Sequence, residues 1–184
     1  STLALDSLFN MDRILRRFVV TVDNLPRKHL PSSKYCSNQM ISGQLMVEKD
    51  NYGMYLSEEN FARYDAIIDL LESMNTDQLV AFYLYYYPLI QTAYEDMGYP
   101  TAYFNDRLVD VIDHLLEAPD IDEPVRLVRP KVLYQFADPQ LEALSAGQKV
   151  LIRVGPENAA RLKAKLRELR TALSQASPCC ANSS

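Results

Sequence analysis

Residues 11–31 read MDRILRRFVVTVDNLPRKHLP, and two signals within them disagree. Val19, Val20, Thr21 and Val22 form a short run that favours a strand locally. Over a longer span, Leu8, Met11, Leu15, Phe18, Val22 and Leu25 recur at steps of three and four, the period of an α-helix. The longer period overrides so short a run. It predicts an amphipathic helix with Arg13, Arg16, Arg17, Asp23 and Asn24 off the apolar stripe, the arginine stems packing along its flank. Pro26 ends the helix, and Arg27, Lys28 and His29 open a loop closed by Pro31.

The same period repeats down the chain. Residues 44–56, QLMVEKDNYGMYL, alternate and then turn through Asp50, Asn51 and Gly53, which predicts a small β-hairpin. Ser57 with Glu58 and Glu59 caps a helix striped by Phe61, Tyr64, Ile67, Ile68 and Leu71. A second helix starts near Thr76 with Leu79, Phe82, Tyr83, Tyr86, Ile90, Ala93 and Met97 inward, and a kink is expected at Pro88. A third runs from about Ala102 to Glu117. Asp138-Pro139 starts a short helix and Ser145 caps the next. Gly155-Pro156 separates that helix from a last one lined by Leu162, Leu166, Leu169 and Leu173. The expectation is a mainly α fold, a single-domain bundle of about six helices over residues 1–173, followed by a flexible tail over 174–184. Residues 32–43 lack periodicity and read as loop.

A chain of 184 residues buries roughly two-thirds of its unfolded surface as one domain. Its longest uncharged stretch, Gln78 to Tyr94, falls short of the roughly 20 apolar residues a membrane helix needs. No secretory leader pattern opens the sequence, which leaves open a signal or anchor ahead of it. Cys36, Cys179 and Cys180 form no disulfide framework, although a bridge from Cys36 to the tail is one reading in an oxidising compartment.

Charge is segregated. Residues 1–34 hold six Lys/Arg against three Asp/Glu, residues 50–123 two against sixteen, and residues 126–170 ten against four. An acidic middle argues against a nucleic-acid binder. It also predicts that Arg13, Arg16, Arg17 and the basic rim of the last helix face the middle segment within one molecule.

Catalytic and cofactor motifs are missing: no G-x-S-x-G, phosphate loop, dinucleotide fingerprint or H-E-x-x-H. No residue is assigned as catalytic or as a metal ligand, and no cofactor is expected. Asp106, Asp110, Asp113 and Glu117 make an acidic ridge on the third helix, read either as a cation or partner site or as a solvated face. His114, four residues after Asp110, reads as half of a structural pair. The tyrosines of AFYLYYYP (81–88) read as helix core rather than a stacking platform. The connector Arg126-Leu127-Val128-Arg129-Pro130 reads either as an exposed polar feature or as a strand-like link whose arginines pair with the acidic helices. The candidate binding residues are therefore Arg16, Arg17, Asp110, Asp113, His114, Arg126 and Arg129. Two functions fit: a non-enzymatic interaction domain binding another protein or a cell-wall component, or an enzyme drawing acid–base residues from Asp110, Asp113, His114 and Arg129.

Four segments together resemble one bacterial family: RRFVVTVDNLPRKHLP (16–31), GYPTAYFNDRLVDVIDHLL (98–116), LVRPKVLYQFADPQLEALSAGQK (127–149) and GPENAARLKAKLRELR (155–170). They are similar to domain of unknown function 3014, over most of residues 8–173. The resemblance implies a proteobacterial protein, often with an N-terminal membrane helix and a Pro-rich linker ahead of this domain. It thus implies a periplasmic domain, or one anchored in the inner membrane and facing the periplasm. It implies no activity and no site residues.

Overall fold

The structure, a computed structural model, describes residues 2–28 and 45–176, with side chains from Asn10 onward. His29, Cys36, Cys179, Cys180 and the loop expected at 32–43 lie outside the described residues. Seven helices and four strands are present among those described: α1 (Thr2–Asn24), β1 (Val47–Asp50), β2 (Gly53–Leu56), α2 (Glu59–Ser73), α3 (Thr76–Asp96), α4 (Phe104–Leu116), β3 (Arg126–Val128), β4 (Gln135–Phe136), α5 (Pro139–Glu142), α6 (Ala146–Arg153) and α7 (Pro156–Gln175). The mainly helical architecture and the hairpin agree with the sequence. No helix among the described residues is long and apolar enough to cross a membrane.

α1 is a helix throughout, so period prevails over the local β-branched run. Its buried stripe is Leu15, Val19 and Val22, with Val19 fully enclosed. Phe18, expected at the centre, lies instead at the border of the stripe, 39% exposed and edge-on to Phe104. Asp23, expected on the wet side, is 2% exposed. Its carboxylate accepts from Arg107 Nε at 2.9 Å and from Arg27 Nη2 at 2.9 Å, while Arg107 Nη2 also donates to the Asp23 carbonyl at 2.8 Å. A buried carboxylate is tolerated because these groups saturate it.

α3 passes through Pro88 without interruption. Tyr83 is buried and donates to Asn105, and burial pushes its hydroxyl above the usual phenol range. Tyr85 and Phe82 are exposed, so Phe82 is not part of the inward stripe. α1, α3, α4 and α7 enclose the larger core, which includes Phe104, Val111, Ile112 and Leu173. A second core of Leu56, Val125, Leu127, Phe136 and Ile152 lies beneath the sheet. That sheet is an antiparallel meander in the order β1-β2-β3-β4, with Met54 opposite Leu127 and Leu127 opposite Phe136. The expected hairpin is its first half, and the 126–130 connector forms part of its second.

Three helix starts follow the sequence, while α2 departs from it: Glu58 and not Ser57 stands at its N-cap position, without a side-chain cap bond, and Ser57 Oγ donates to Glu48. Ser145 and Gln148 form a reciprocal capping box on α6, Asp138 caps α5, and Gly155 at φ +88° precedes Pro156 at the start of α7. α7 continues to Gln175, past the boundary expected at residue 173. Its expected solvated basic rim is partly wrong: Lys163 and Lys165 are buried. Lys163 Nζ donates to the Ala118 carbonyl and Asp120, and Lys165 Nζ to the Met74 carbonyl and Thr76. Carbonyls at the ends of α4 and α2 lack helical partners, and the two ammonium groups satisfy them.

Opposite charges border the helix contacts, as the charge segregation predicts. Arg16 pairs with Asp96, Arg161 with Asp69 and Glu72, and Arg170 with Asp113. Arg13 and Arg17 make no ion pair among the described residues. These bridges are largely exposed, so burial holds the fold and charge disfavours wrong packings. Raising NaCl should lower the melting temperature by a few degrees at most, and Arg16→Glu should lower it further and blunt that salt response. Stability that climbs with salt would show that repulsion within the acidic segment outweighs these pairs.

Candidate functional site

A broad concave surface lies where the sheet meets α2 and the start of α7. β1 and β2 supply one wall, the 121–125 connector another, and Pro156 a third; the space amounts to about 770 Å³. Two smaller depressions, of about 420 and 330 Å³, also meet Pro156, one beside Glu58 and Phe61 and the other beside Ile121 and Asp122. The apolar floor is Leu56, Phe61, Val125 and Ile152, of which all but Phe61 are buried. Floor and fold share these side chains, because the second core reaches the surface here.

The rim is strongly acidic. Glu48, Asp50, Glu58, Asp122 and Glu123 line the cleft against the single cation Lys49. Local structure explains two of them: Glu48 accepts from Ser57 Oγ at 2.7 Å, and Asp50 Oδ1 accepts from the backbone N–H groups of Tyr52 and Gly53 to close the hairpin. Glu58, Asp122 and Glu123 are exposed and make no ion pair among the described residues. Acids crowded on a concave wall with an apolar base concentrate a negative potential there.

The residues singled out in the sequence lie elsewhere. Arg16 and Arg17 are on the exposed side of α1, the first bound to Asp12 and Asp96. Asp113 is held by Arg170 through two hydrogen bonds, which keep its carboxyl below the usual carboxylate range. His114 Nε2 lies 2.9 Å from Ser145 Oγ, so it joins α4 to the cap of α6 and not to Asp110, as its spacing suggested. Asp110 is exposed. Arg126 donates to the Tyr52 carbonyl, and Arg129 donates to the Val132 carbonyl and stacks over Tyr134. Neither arginine pairs with an acidic helix. Asp113, His114 and Arg129 are thus held by three different sets of neighbours, and none of them, nor Asp110, lines the cleft. The cleft acids escaped the sequence reading, although the acidic DIDE run at 120–123 was their one visible sign. Among the described residues no group of His, Cys, Asp and Glu is arranged to hold a metal.

No curated protein and no solved structure matches the chain significantly. The family model for protein of unknown function DUF3014 matches residues 14–170, from within α1 to within α7, and the chain belongs to that family.

Proposed function

We propose that the chain is an interaction domain of the bacterial envelope that holds a basic, extended segment of another protein in this cleft. One observation carries the reading: an apolar floor is ringed by five carboxylates and one lysine, and three of those carboxylates are unpaired within the described residues. Lysine or arginine side chains alternating with apolar ones would lay their apolar groups on Phe61, Val125 and Ile152 and their charges at Glu58, Asp122 and Glu123. A cell-wall polymer carrying carboxylates would meet like charge at the same rim, so the chemistry favours a protein partner. The envelope placement rests on the family resemblance.

Fluorescence anisotropy tests it, with labelled peptides in which Lys alternates with Leu and a matched set in which Glu replaces Lys. The Lys set should bind, and salt should weaken it. Glu58→Lys with Asp122→Lys should reduce affinity at least about tenfold, the scale of losing two close charge contacts. Asp106→Lys with Asp110→Lys, on the α4 ridge, should leave affinity nearly unchanged. Equal loss from the cleft and ridge variants would reduce the effect to net charge and sink the proposal, as would indifference to peptide charge.

A further inference from the structure

The most exposed large apolar side chains of the sheet gather at one of its ends. β2 and β3 run antiparallel with Met54 opposite Leu127, so the β1–β2 turn at residues 51–52 and the β3–β4 turn at residues 129–134 project from the same end. Tyr52 on the first turn is 80% exposed, and Val132 and Leu133 on the second are 75% and 77% exposed. Three consecutive residues near the apex of the second turn are therefore a lysine and two aliphatics, Lys131-Val132-Leu133. No folding purpose is evident for this pair: the sheet's own core is Leu56, Leu127 and Phe136 on its covered face.

Cations lie beside them. Arg126 crosses the first hairpin, its Nη2 donating to the Tyr52 carbonyl at 3.1 Å. Gly53 leaves room for it, since a Cβ there would fall 3.0 Å from Arg126 Nε. On the second turn, Arg129 Nε donates to the Val132 carbonyl at 3.1 Å, and its guanidinium lies 5.2 Å from the centre of the Tyr134 ring. The two legs of the turn are thereby clipped together and the apex is presented outward. Arg126, Arg129 and Lys131 make no ion pair among the described residues. Asp50 is the acid on these turns, and its Oδ1 is engaged by two backbone N–H groups.

We propose that this end of the sheet docks on an anionic lipid surface, with Val132 and Leu133 entering the acyl boundary and Arg126, Arg129 and Lys131 meeting lipid phosphates. Three features favour a bilayer over a pocket on another protein. The apolar groups sit on projecting turns and not in a groove, so they suit a soft surface that closes around them. Exposed aliphatics, an amphipathic tyrosine and cations gathered on adjoining turns are the composition that a bilayer interface accommodates, with aliphatics in the acyl boundary and the tyrosine and cations at headgroup level. The chain as a whole is acidic, with a net charge of −5, and the acids concentrate in residues 50–123, so an anionic surface repels most of the molecule and favours contact through a basic end such as this one. None of Tyr52, Arg129, Lys131, Val132 and Leu133 lines the cleft, so this surface is independent of the peptide-binding proposal.

The chain has no tryptophan, so Leu133→Trp installs a single reporter. Vesicles of phosphatidylcholine with phosphatidylglycerol should shift its emission to the blue and carry the protein down on centrifugation. Vesicles of phosphatidylcholine alone should do neither, and salt should reverse the binding. In otherwise native protein, Val132→Ser with Leu133→Ser, and separately Arg129→Glu with Lys131→Glu, should each weaken sedimentation with the anionic vesicles by about tenfold or more. Circular dichroism should stay unchanged in both; the melting temperature should hold in the serine variant, whose side chains are exposed, and fall only slightly with Arg129→Glu, which also gives up the hydrogen bond to the Val132 carbonyl. Absence of both the blue shift and sedimentation on anionic vesicles overturns the proposal. So does binding that survives both double variants, which would place the lipid contact elsewhere.

Discussion

Replacing Arg107 with methionine should destabilise the protein by about 3 kcal/mol, the low end of the range for stripping a buried charge of its partner. Arg107 Nε reaches Asp23 Oδ1, and its Nη2 reaches the carbonyl of the same residue. Asp23 is 2% exposed near the C-terminal end of α1, so water cannot take over. The low end applies because Arg27 still reaches the other carboxylate oxygen, from a position 53% exposed, and Tyr99 approaches it at 3.4 Å. For a chain of this length the melting temperature should fall by about 6–12 °C. The companion experiment separates the pair's net worth from the cost of breaking it: Asp23→Leu with Arg107→Met removes both charges and should recover much of the loss. A loss below about 1 kcal/mol in Arg107→Met alone would mean that Asp23 finds water or another donor, and that α1 and α4 are joined by apolar packing alone.

This network marks where sequence reading stopped. The period of three and four in residues 8–25 was enough to call a helix against its β-branched run, and capping residues placed the starts of α5, α6 and α7. The phase of α1 was less secure: Phe18 and Val19 are neighbours, and either can head a stripe. Shape decided it, since Val19 fits fully inside while Phe18 finds a ring edge, Phe104, at the margin. Asp23 looked wet because a polar residue near a helix end usually is. Arg27 lies one turn away, but Arg107, the partner that lets Asp23 be buried, lies 84 residues away, and no local period carries that information. β3 and β4, of three and two residues, are too short to alternate visibly; they exist because β3 pairs with β2 and β4 with β3.

The candidate sites were legible only in part. An excess of acid over residues 50–123 was plain from counting, and so was the compensation by both flanking segments. Counting could not separate acids that are bridged, such as Asp69, Asp96 and Asp113, from Glu58, Asp122 and Glu123, which the topology gathers around one cleft. Similarly, the α7 lysines scan as a wet basic face. Both are buried because the free carbonyls at the ends of α2 and α4 converge on that helix. The Arg126–Pro130 stretch could be flagged as polar, yet nothing local marks Val132 and Leu133 beyond it as exposed; the placing of the turn does.

Gly155→Ala should destabilise the protein by about 3 kcal/mol and should also disturb the cleft. Two costs coincide at this position. The backbone stands at φ +88° and ψ 162°, a region that residues with a side chain reach only at a cost of about 1–3 kcal/mol. A Cβ there would also lie 2.5 Å from Phe61 Cγ and within 2.8 Å of both Cδ atoms, and overpacking of that kind costs about 1–3 kcal/mol. The two do not simply add, because a shift that relieves the ring can relax the backbone. Gly98 supplies the comparison: it has φ +106° with nothing within 4 Å of a Cβ, so Gly98→Ala carries backbone strain alone, about 1–2 kcal/mol. Gly155→Ala with Phe61→Leu should recover part of the crowding cost and none of the strain. Urea denaturation of the three variants gives the partition. Phe61 is both the obstacle and part of the apolar floor, so Gly155→Ala should also weaken binding of the Lys-Leu peptides, whereas Gly98→Ala should not. If both glycine variants lose equal stability and neither affects peptide binding, Phe61 moves aside freely, and the floor of the cleft is softer than its packing against Gly155 indicates.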